Sequence, residues 1–454
     1  MKNNLMNIRF IGCLMLLCLC KMNAQSTVWT LNKAIEEAHK NRKLLTSLET
    51  ASKISSLKTK ELNAKYLPRV SLNYNYQYNP IIATSVLPAS AFNSGTYSDG
   101  LIPVKLGANY TQNAGVLLQQ PLLDISISKL ITESRLQEKL ASLNEEEARI
   151  ELTYEVSKAY FNTLVAQQQV KEAIGDTTRT ALSWSTINQK YNNNRALKVD
   201  VNDAKVTHNN SIQKYHNAVN NVLVLKQYLL YVTGNESSLA ASIVLEKYSM
   251  DGNSTDLDEG LIQALPQIQI LKTQNEVLEN KKKQERAKRS PTISLNGYLG
   301  ADQFTASMNP FQQDSWYGNS YFGVSLKLPL LFGENTAKRI DQLKLEQEQN
   351  NNRIEEDINK NKYNALNATT AYQNVLQQLK TVHENTRLTQ EIVLVYQERY
   401  KFDQISFNEL NDKEIQLQNL ELVSNKLQQE LIMSWLDWKK AAGKLVVQYE
   451  ASLA

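Results

Sequence analysis

The strongest constraint on this chain is that it carries one stretch of sequence twice. Gly115-Val116-x-Leu118-x-x-Pro121-Leu122-Leu123 returns as Gly323-Val324-x-Leu326-x-x-Pro329-Leu330-Leu331. Upstream, Ser71-Leu72-Asn73 after Pro68 returns as Ser294-Leu295-Asn296 after Pro291. Downstream, Tyr191, Asp200, Asn202-Asp203 and Gly234 are matched by Tyr400, Glu409, Asn411-Asp412 and Gly443, all at one offset. Chance similarity does not hold a constant offset over four positions. Self-similarity of this kind marks a repeated structural unit that packs against its twin. We place the copies at residues 25–250 and 251–454.

Each copy opens with a helical stretch and continues into two alternating segments. Leu31, Ile35, Ala38 and Leu45 stand at helical spacing between Trp29 and Tyr66, and Pro68 ends the stretch. Then Val70, Leu72, Tyr74, Tyr76 and Tyr78 alternate with Ser71, Asn73, Asn75, Gln77 and Asn79. A period of two puts the first set on one face of a strand and the second on the other. The return segment sets Ala114, Val116 and Leu118 against Asn113, Gly115 and Gln119. These spacings predict β-hairpins at about 69–120 and, in the second copy, about 291–329.

Alternation alone also fits a half-buried strand of a soluble sandwich. Two isolated hairpins, however, cannot bury their apolar faces alone. Their other faces are Asn, Ser, Gln and Gly, which suits a wet lumen with the apolar face toward lipid. The hairpin loops, about 80–103 and 302–317, are long in the manner of outward barrel loops. The pattern fits membrane barrel strands better.

After each hairpin comes a tract that reads only as helix, over 124–233 and 334–442. No Gly or Pro lies between Gly333 and Gly443, and only Gly175 interrupts 124–233. Each tract breaks once, near Tyr191–Lys198 and Tyr400–Phe407, which gives a pair of antiparallel helices. The first member, about 65 residues at 1.5 Å each, would reach roughly 100 Å. Leu410, Leu417 and Leu431, with Leu420 and Leu427, keep heptad spacing. Asp124 and Glu334-Asn335 stand where capping or acidic side chains satisfy free N–H groups. A helix that long crosses a distance rather than filling a compact domain.

The N-terminus reads as an export signal over residues 1–24. Lys2 and Arg9 precede an apolar core from Phe10 to Cys20, and Met22-Asn23-Ala24 offers a cleavage site. All three cysteines, Cys13, Cys18 and Cys20, lie inside it, so the exported chain would carry none. Leu19 sits where a lipid-anchor signal wants a small residue, which argues against lipidation of Cys20. No later run of about 18 apolar residues could span a bilayer as a helix. The formal net charge is +4, and three of those charges (Lys2, Arg9, Lys21) fall in the signal, so no basic footprint for nucleic acid remains.

Taken in order and twice over, these residues resemble the TolC family of outer-membrane efflux proteins. The resemblance runs through Trp29-Thr30-Leu31-x-x-Ala34-Ile35-x-x-Ala38, Leu67-Pro68-x-Val70-Ser71-Leu72, the Pro-Leu-Leu helix starts and the Tyr191 and Tyr400 turns. It implies a mainly α fold with a membrane β-barrel part, built from two tandem strand–strand–long-helix–helix repeats. Three chains would share one twelve-stranded barrel, continued as an α-helical tunnel through the periplasm. The implied role is an exit duct for small molecules. The implied partners are a periplasmic adaptor protein, an inner-membrane pump of the RND or ABC type, and outer-membrane lipid. A duct for type I protein secretion and a soluble periplasmic coiled-coil scaffold are the alternatives.

The resemblance also singles out the turns between the long helices. The family often has Gly at the tip, and here Asn194 and Asp403 hold that position. Both tolerate a left-handed backbone better than other non-glycine residues. Asp200, Glu409 and Asp412 fall where the family places acidic residues at its constricted entrance, and Tyr400 falls on its gate tyrosine. A ring of carboxylates in a confined space favours cations. The basic partner often found just after the Gly position is Ile405 here, which leaves the charged lock absent, weaker, or supplied by Arg195 of the other copy. The plain alternative is that Asp200, Asp203, Glu409 and Asp412 only solvate a helix face.

No catalytic constellation, phosphate loop, cofactor motif or metal set is expected. The four histidines, His39, His208, His216 and His383, stand singly, and His208 and His216 are eight residues apart. The run Lys281-Lys282-Lys283-Gln284-Glu285-Arg286-Ala287-Lys288-Arg289 reads equally as a solvated helix end and as a contact for acidic lipid. Trp435 and Trp438 read as packing residues.

Overall fold

In a computed structural model, residues 28–88, 91, 100–235, 243–246, 258–309, 316–330 and 334–445 are described. The export signal expected at 1–24, with its cysteines, lies outside them, as do parts of both hairpin loops. The chain forms two compact units, one from residues 51–141 and 272–352 and one from 1–50, 142–271 and 353–454. Each unit therefore draws on both sequence copies.

The first unit holds a sheet. Its strands are β2 (Arg69–Tyr78), β5 (Tyr110–Leu123), β7 (Thr292–Thr305) and β8 (Trp316–Lys327), in the order β2-β5-β7-β8 and antiparallel throughout. The two copies join where β5 pairs with β7, from Tyr110 opposite Thr305 to Leu123 opposite Ile293. Register carries the alternation across the sheet. Leu72 faces Val116, which faces Leu299, on one side. Asn75 faces Asn113, which faces Asp302, on the other. On the polar side Asn113 donates to Asp302 (2.5 Å) and to the Tyr298 hydroxyl (2.7 Å). Tyr298 lies across Gly115 and Gly300, and a Cβ at either glycine would collide with its hydroxyl.

Among the described residues the apolar side has no cover. Leu72 is 79% exposed, Phe322 74% and Leu326 67%. An apolar face that open is stable only against lipid or another apolar surface. Toward the loop end it becomes aromatic, with Tyr78 stacked on Tyr110 at 4.8 Å and Tyr76 at 6.1 Å, as interfacial girdles are. Among the described residues the outer strands β2 and β8 have no partner on their free sides. A short hairpin, β3 (Thr84–Pro88) with β4 (Leu101–Lys105), rises from the first loop. The second loop is shorter than the spacing suggested, because β7 continues through Asp302 to Thr305.

The second unit is helical. Its long members are α3 (Ile125–Asn192), α4 (Lys198–Val232), α7 (Asn335–Lys401) and α8 (Phe407–Ala441), of which α3 and α7 run on from the sheet unit. The Asp124 carboxylate accepts from the Ser126 N–H at 2.8 Å and so caps α3. Among the described residues no helix is long and apolar enough to cross a membrane. The main core gathers Ala34, Ile35, Val156, Tyr160, Leu229, Leu230 and Leu436, with Phe161 edge-on to Trp435 at 5.8 Å. Two residue pairs of parallel strand, β1 (Val28–Trp29) with β6 (Val244–Leu245), flank it. The Tyr160 hydroxyl reaches the carbonyls of Trp29 (2.9 Å) and Glu246 (2.8 Å), tying both strands to α3.

The opening helix is not the single stretch that the spacing predicts. It divides into α1 (Leu31–Asn41) and α2 (Lys43–Asn63), and Trp29 belongs to β1. Arg42 leaves the helix with extended backbone, and its guanidinium donates to the Tyr231 carbonyl at 3.0 Å. The turn after α4 seats there. Gly234 has φ +72, and a side chain on it would meet the Asn41 backbone at 3.0 Å. The remaining short helices, α5 (Glu259–Ala264) and α6 (Pro266–Ala287), lead into β7.

Candidate functional site

The turns that join the long helices are built alike in the two copies. After α3, the Arg195 N–H reaches back to the Lys190 carbonyl (2.8 Å) and the Asn194 N–H to Tyr191 (2.9 Å). After α7, Gln404 reaches Arg399 (3.0 Å) and Asp403 reaches Tyr400 (3.2 Å). This pair of bonds is a Schellman closure, which needs a left-handed residue at its corner. Asn194 and Asp403 take that conformation, both at φ +56, and they are the only non-glycine residues with positive φ among those described. Glycine is usual there, and Asn and Asp are the side chains that bear it with least strain.

One side chain joins the two turns. Lys190, at the end of α3, is about nine-tenths buried and passes over the Tyr400 ring, its ammonium 4.1 Å from the ring centre. The ammonium donates to the Tyr400 carbonyl and to the Asp403 carboxylate, the latter at 2.5 Å. Arg195 donates to the other oxygen of Asp403. Two cations of the first copy thus converge on one carboxylate of the second. The hydrogen bond from Lys190, followed by the charges of Lys190 and Arg195, holds Asp403 below the usual carboxylate range. Below the turns, Ile187, Val201, Ala204, Tyr400, Phe407 and Leu410 form an apolar cluster. Burial there, with smaller contributions from Asp200 and Asp403, pushes the Tyr400 hydroxyl up to about 12.

The acidic residues singled out in the sequence fall into two groups. Asp200 and Glu409 are each the third residue of a helix, and each folds back on the helix start. Asp200 accepts from the Leu197 N–H at 3.2 Å. Glu409 accepts from the N–H (2.8 Å) and hydroxyl (2.9 Å) of Ser406, and Ser406 accepts from the Glu409 N–H (3.3 Å). The second copy therefore has a full capping box, whereas Leu197 has no side-chain acceptor and the first copy has half of one. These bonds, backbone first, hold Glu409 below its ordinary range. Asp203 and Asp412 instead lie exposed on their helices. Asp200 lies near enough to influence Tyr400, and Glu409 stays with its own cap.

Farther along α3 and α8 lies a second set of carboxyls. Glu414, 1% exposed, accepts from the Ser183 hydroxyl (2.7 Å) and from Gln397 (3.1 Å). Seven residues on, Glu421 faces Asp176 and Glu172, with Arg179 as the nearby cation. Arg179 is bound to Asp176, and Glu172 accepts from Asn425 at 2.7 Å. Burial, and then the charge of Asp176, push Glu421 up to about 7.

Sequence reasoning missed Lys190 and this second set. The signal for Lys190 was present, because a basic residue precedes the turn tyrosine in both copies, Lys190-Tyr191 and Arg399-Tyr400. Of the residues considered as the missing basic partner, Arg195 pairs with Asp403. Among the described residues no three His, Cys, Asp or Glu side chains are placed to hold a metal ion. Trp435 and Trp438 are both 4% exposed and serve as packing residues.

No protein family and no curated protein matches the sequence. Solved structures do match it. The outer membrane protein VceC from Vibrio cholerae superposes with a TM-score of 0.73 at 15% identity, over 91% of this chain and 96% of that one. A membrane protein from Pseudomonas aeruginosa gives 0.72 at 17% identity, over 91% and 93%. The CmeC outer membrane channel of Campylobacter jejuni gives 0.71 at 15% identity, over 91% and 85%. The chain has the fold of these proteins, long α-helices with an antiparallel β-sheet.

Proposed function

We propose that this chain is one subunit of a bacterial outer-membrane exit channel, of the kind its sequence resembles. Three copies would complete a twelve-stranded barrel, with the helices in the periplasm. The observation that carries this reading is the four-stranded sheet. It has an exposed apolar face, a hydrogen-bonded polar face and, among the described residues, two edge strands without partners. A sheet with free edges cannot stay in a bilayer, because unpaired backbone N–H and C=O groups are too costly in hydrocarbon. Further copies of the same sheet remove both edges. The fold shared with the CmeC outer membrane channel supports the same reading.

In this reading the helix tips form the periplasmic entrance. A periplasmic adaptor and an inner-membrane pump of the RND or ABC type would deliver small molecules there. Asp200, Glu409 and Asp412 would give the entrance its negative field, and Tyr400 would be part of the closure. The capping bonds do not remove the charge of Asp200 and Glu409. A carboxylate that accepts one or two N–H bonds still projects a full negative charge into a confined aqueous ring.

The test must spare the caps, so amide substitutions serve better than alanine. The triple variant Asp200→Asn, Glu409→Gln, Asp412→Asn keeps an acceptor at each helix start while removing the charge. In planar bilayers its cation-over-anion permeability ratio is expected to fall by about half or more. An unchanged ratio in a folded, conducting variant would place the selectivity elsewhere.

A further inference from the structure

The two copies grip each other at the tips in one direction only. Lys190 of the first copy meets the Tyr400 carbonyl and Asp403 of the second, and Arg195 meets Asp403 as well. At the common offset, Lys190 corresponds to Arg399, Arg195 to Gln404, Tyr400 to Tyr191, and Asp403 to Asn194. The turn backbones are the same in both copies, down to the left-handed corner. Yet Arg399 is exposed, and among the described residues no hydrogen bond or ion pair engages its guanidinium. Glu409 lies close by but spends its carboxylate on Ser406. Among the described residues, the second copy thus carries the reaching residue of the first without a hydrogen-bond or ion-pair partner, its charge acting only at a distance on Glu409.

A ring made from copies of this chain alternates first-copy and second-copy tips. Every second-copy tip then has, on its far side, the first-copy tip of another subunit. Resting on the channel reading above, we propose that Arg399 is the subunit-bridging counterpart of Lys190. It docks on the carbonyl of Tyr191 of the partner subunit and the side chain of Asn194 of the partner subunit.

Two unequal kinds of joint follow. Within a chain, two cations converge on the Asp403 carboxylate. Between chains, the acceptor is an amide and Gln404 stands where Arg195 stood, so no full charge pair forms. A hydrogen bond from a cation to a neutral acceptor is weaker than one to a carboxylate. The joint between subunits is therefore the weaker of the two.

Two experiments on the full chain test this. In the first, the pair Arg399→Cys and Asn194→Cys is oxidised in the membrane, with each single variant as control. All native cysteines precede residue 25, so only the new thiols of the mature chain would report. Covalent dimers and trimers on a boiled non-reducing gel are expected from the pair alone. In the second, Asn194→Asp supplies the missing carboxylate. The fraction of time the channel is open is expected to fall about two- to fivefold, the range for one partly exposed ion pair. Adding Arg399→Ala should abolish that fall. The inference is overturned if wild type runs as a heat-sensitive trimer but the cysteine pair links no subunits. It is equally overturned if Asn194→Asp acts the same with and without Arg399. Absence of any trimer in wild type would instead overturn the channel reading on which it rests.

Discussion

Replacing Lys190 by methionine is expected to raise the open fraction of single-channel recordings about tenfold or more. Methionine keeps the length and apolar stem of lysine, so it preserves packing over the Tyr400 ring. It removes the ammonium that joins the Tyr400 carbonyl and Asp403 across the two copies. The bond lost is charge-assisted and made by a buried ammonium, so it holds more strongly than an exposed ion pair would. Here the group removed is the buried one, with 10% of its side chain exposed, and Asp403 is the more open partner at 37%. Arg195 alone would then hold Asp403, from a side chain 61% exposed, where ion pairs contribute little. Lys190→Arg retains the charge and should fall between wild type and the methionine variant. The prediction fails if Lys190→Met leaves both conductance and open fraction unchanged.

The second large effect concerns Glu421. Its carboxyl is pushed up to about 7, by burial first and then by Asp176, with Glu172 adding to the rise and Arg179 opposing it. On the α4 side Lys214 lies near, but its ammonium is engaged with Gln418 at 2.9 Å. Because the folded chain holds this proton more tightly than an ordinary glutamate at 4.5, folded-state stability is greatest at low pH. Between 4.5 and about 7 the unfolded chain releases the proton and the folded chain does not, so stability falls across that window. Above it, the loss is complete and constant. A rise of this size corresponds to about 3 kcal/mol for a fully buried carboxyl. Partial exposure of Glu421 reduces it to about 2 kcal/mol. Glu421→Gln should therefore melt at a higher temperature than wild type at pH 8, with the gap closing toward pH 4.5. Melting curves that stay parallel across that range would contradict the assignment.

How much of this was legible in the sequence depends on how local each cause is. The strand faces were legible, because alternation in β2 and β7 is a property of consecutive residues. The turns were legible too, since Asn194 and Asp403 occupy a position that admits few side chains. The break at Arg42 was not. Arginine favours helix, and the chain leaves the helix there because the turn at Gly234, far along the sequence, seats against Asn41. The grip of Lys190 on Asp403 joins residues 213 apart, and a single basic residue near a helix end has many uses. Asp200 and Glu409 were legible as acidic and as near a helix start, but their capping bonds appear only once the helix boundaries are known. The cluster of Glu172, Asp176 and Glu421 depends wholly on the packing of α3 against α8.

The central claim is that this sheet completes its pairing only with copies of itself in an outer membrane. Separating the membranes of cells that express the full chain, and running the fractions on gels with and without heating, tests it most directly. The account predicts a species in the outer-membrane fraction that runs as a trimer unheated and as a monomer after boiling. A monomer recovered in the soluble periplasmic fraction would contradict it.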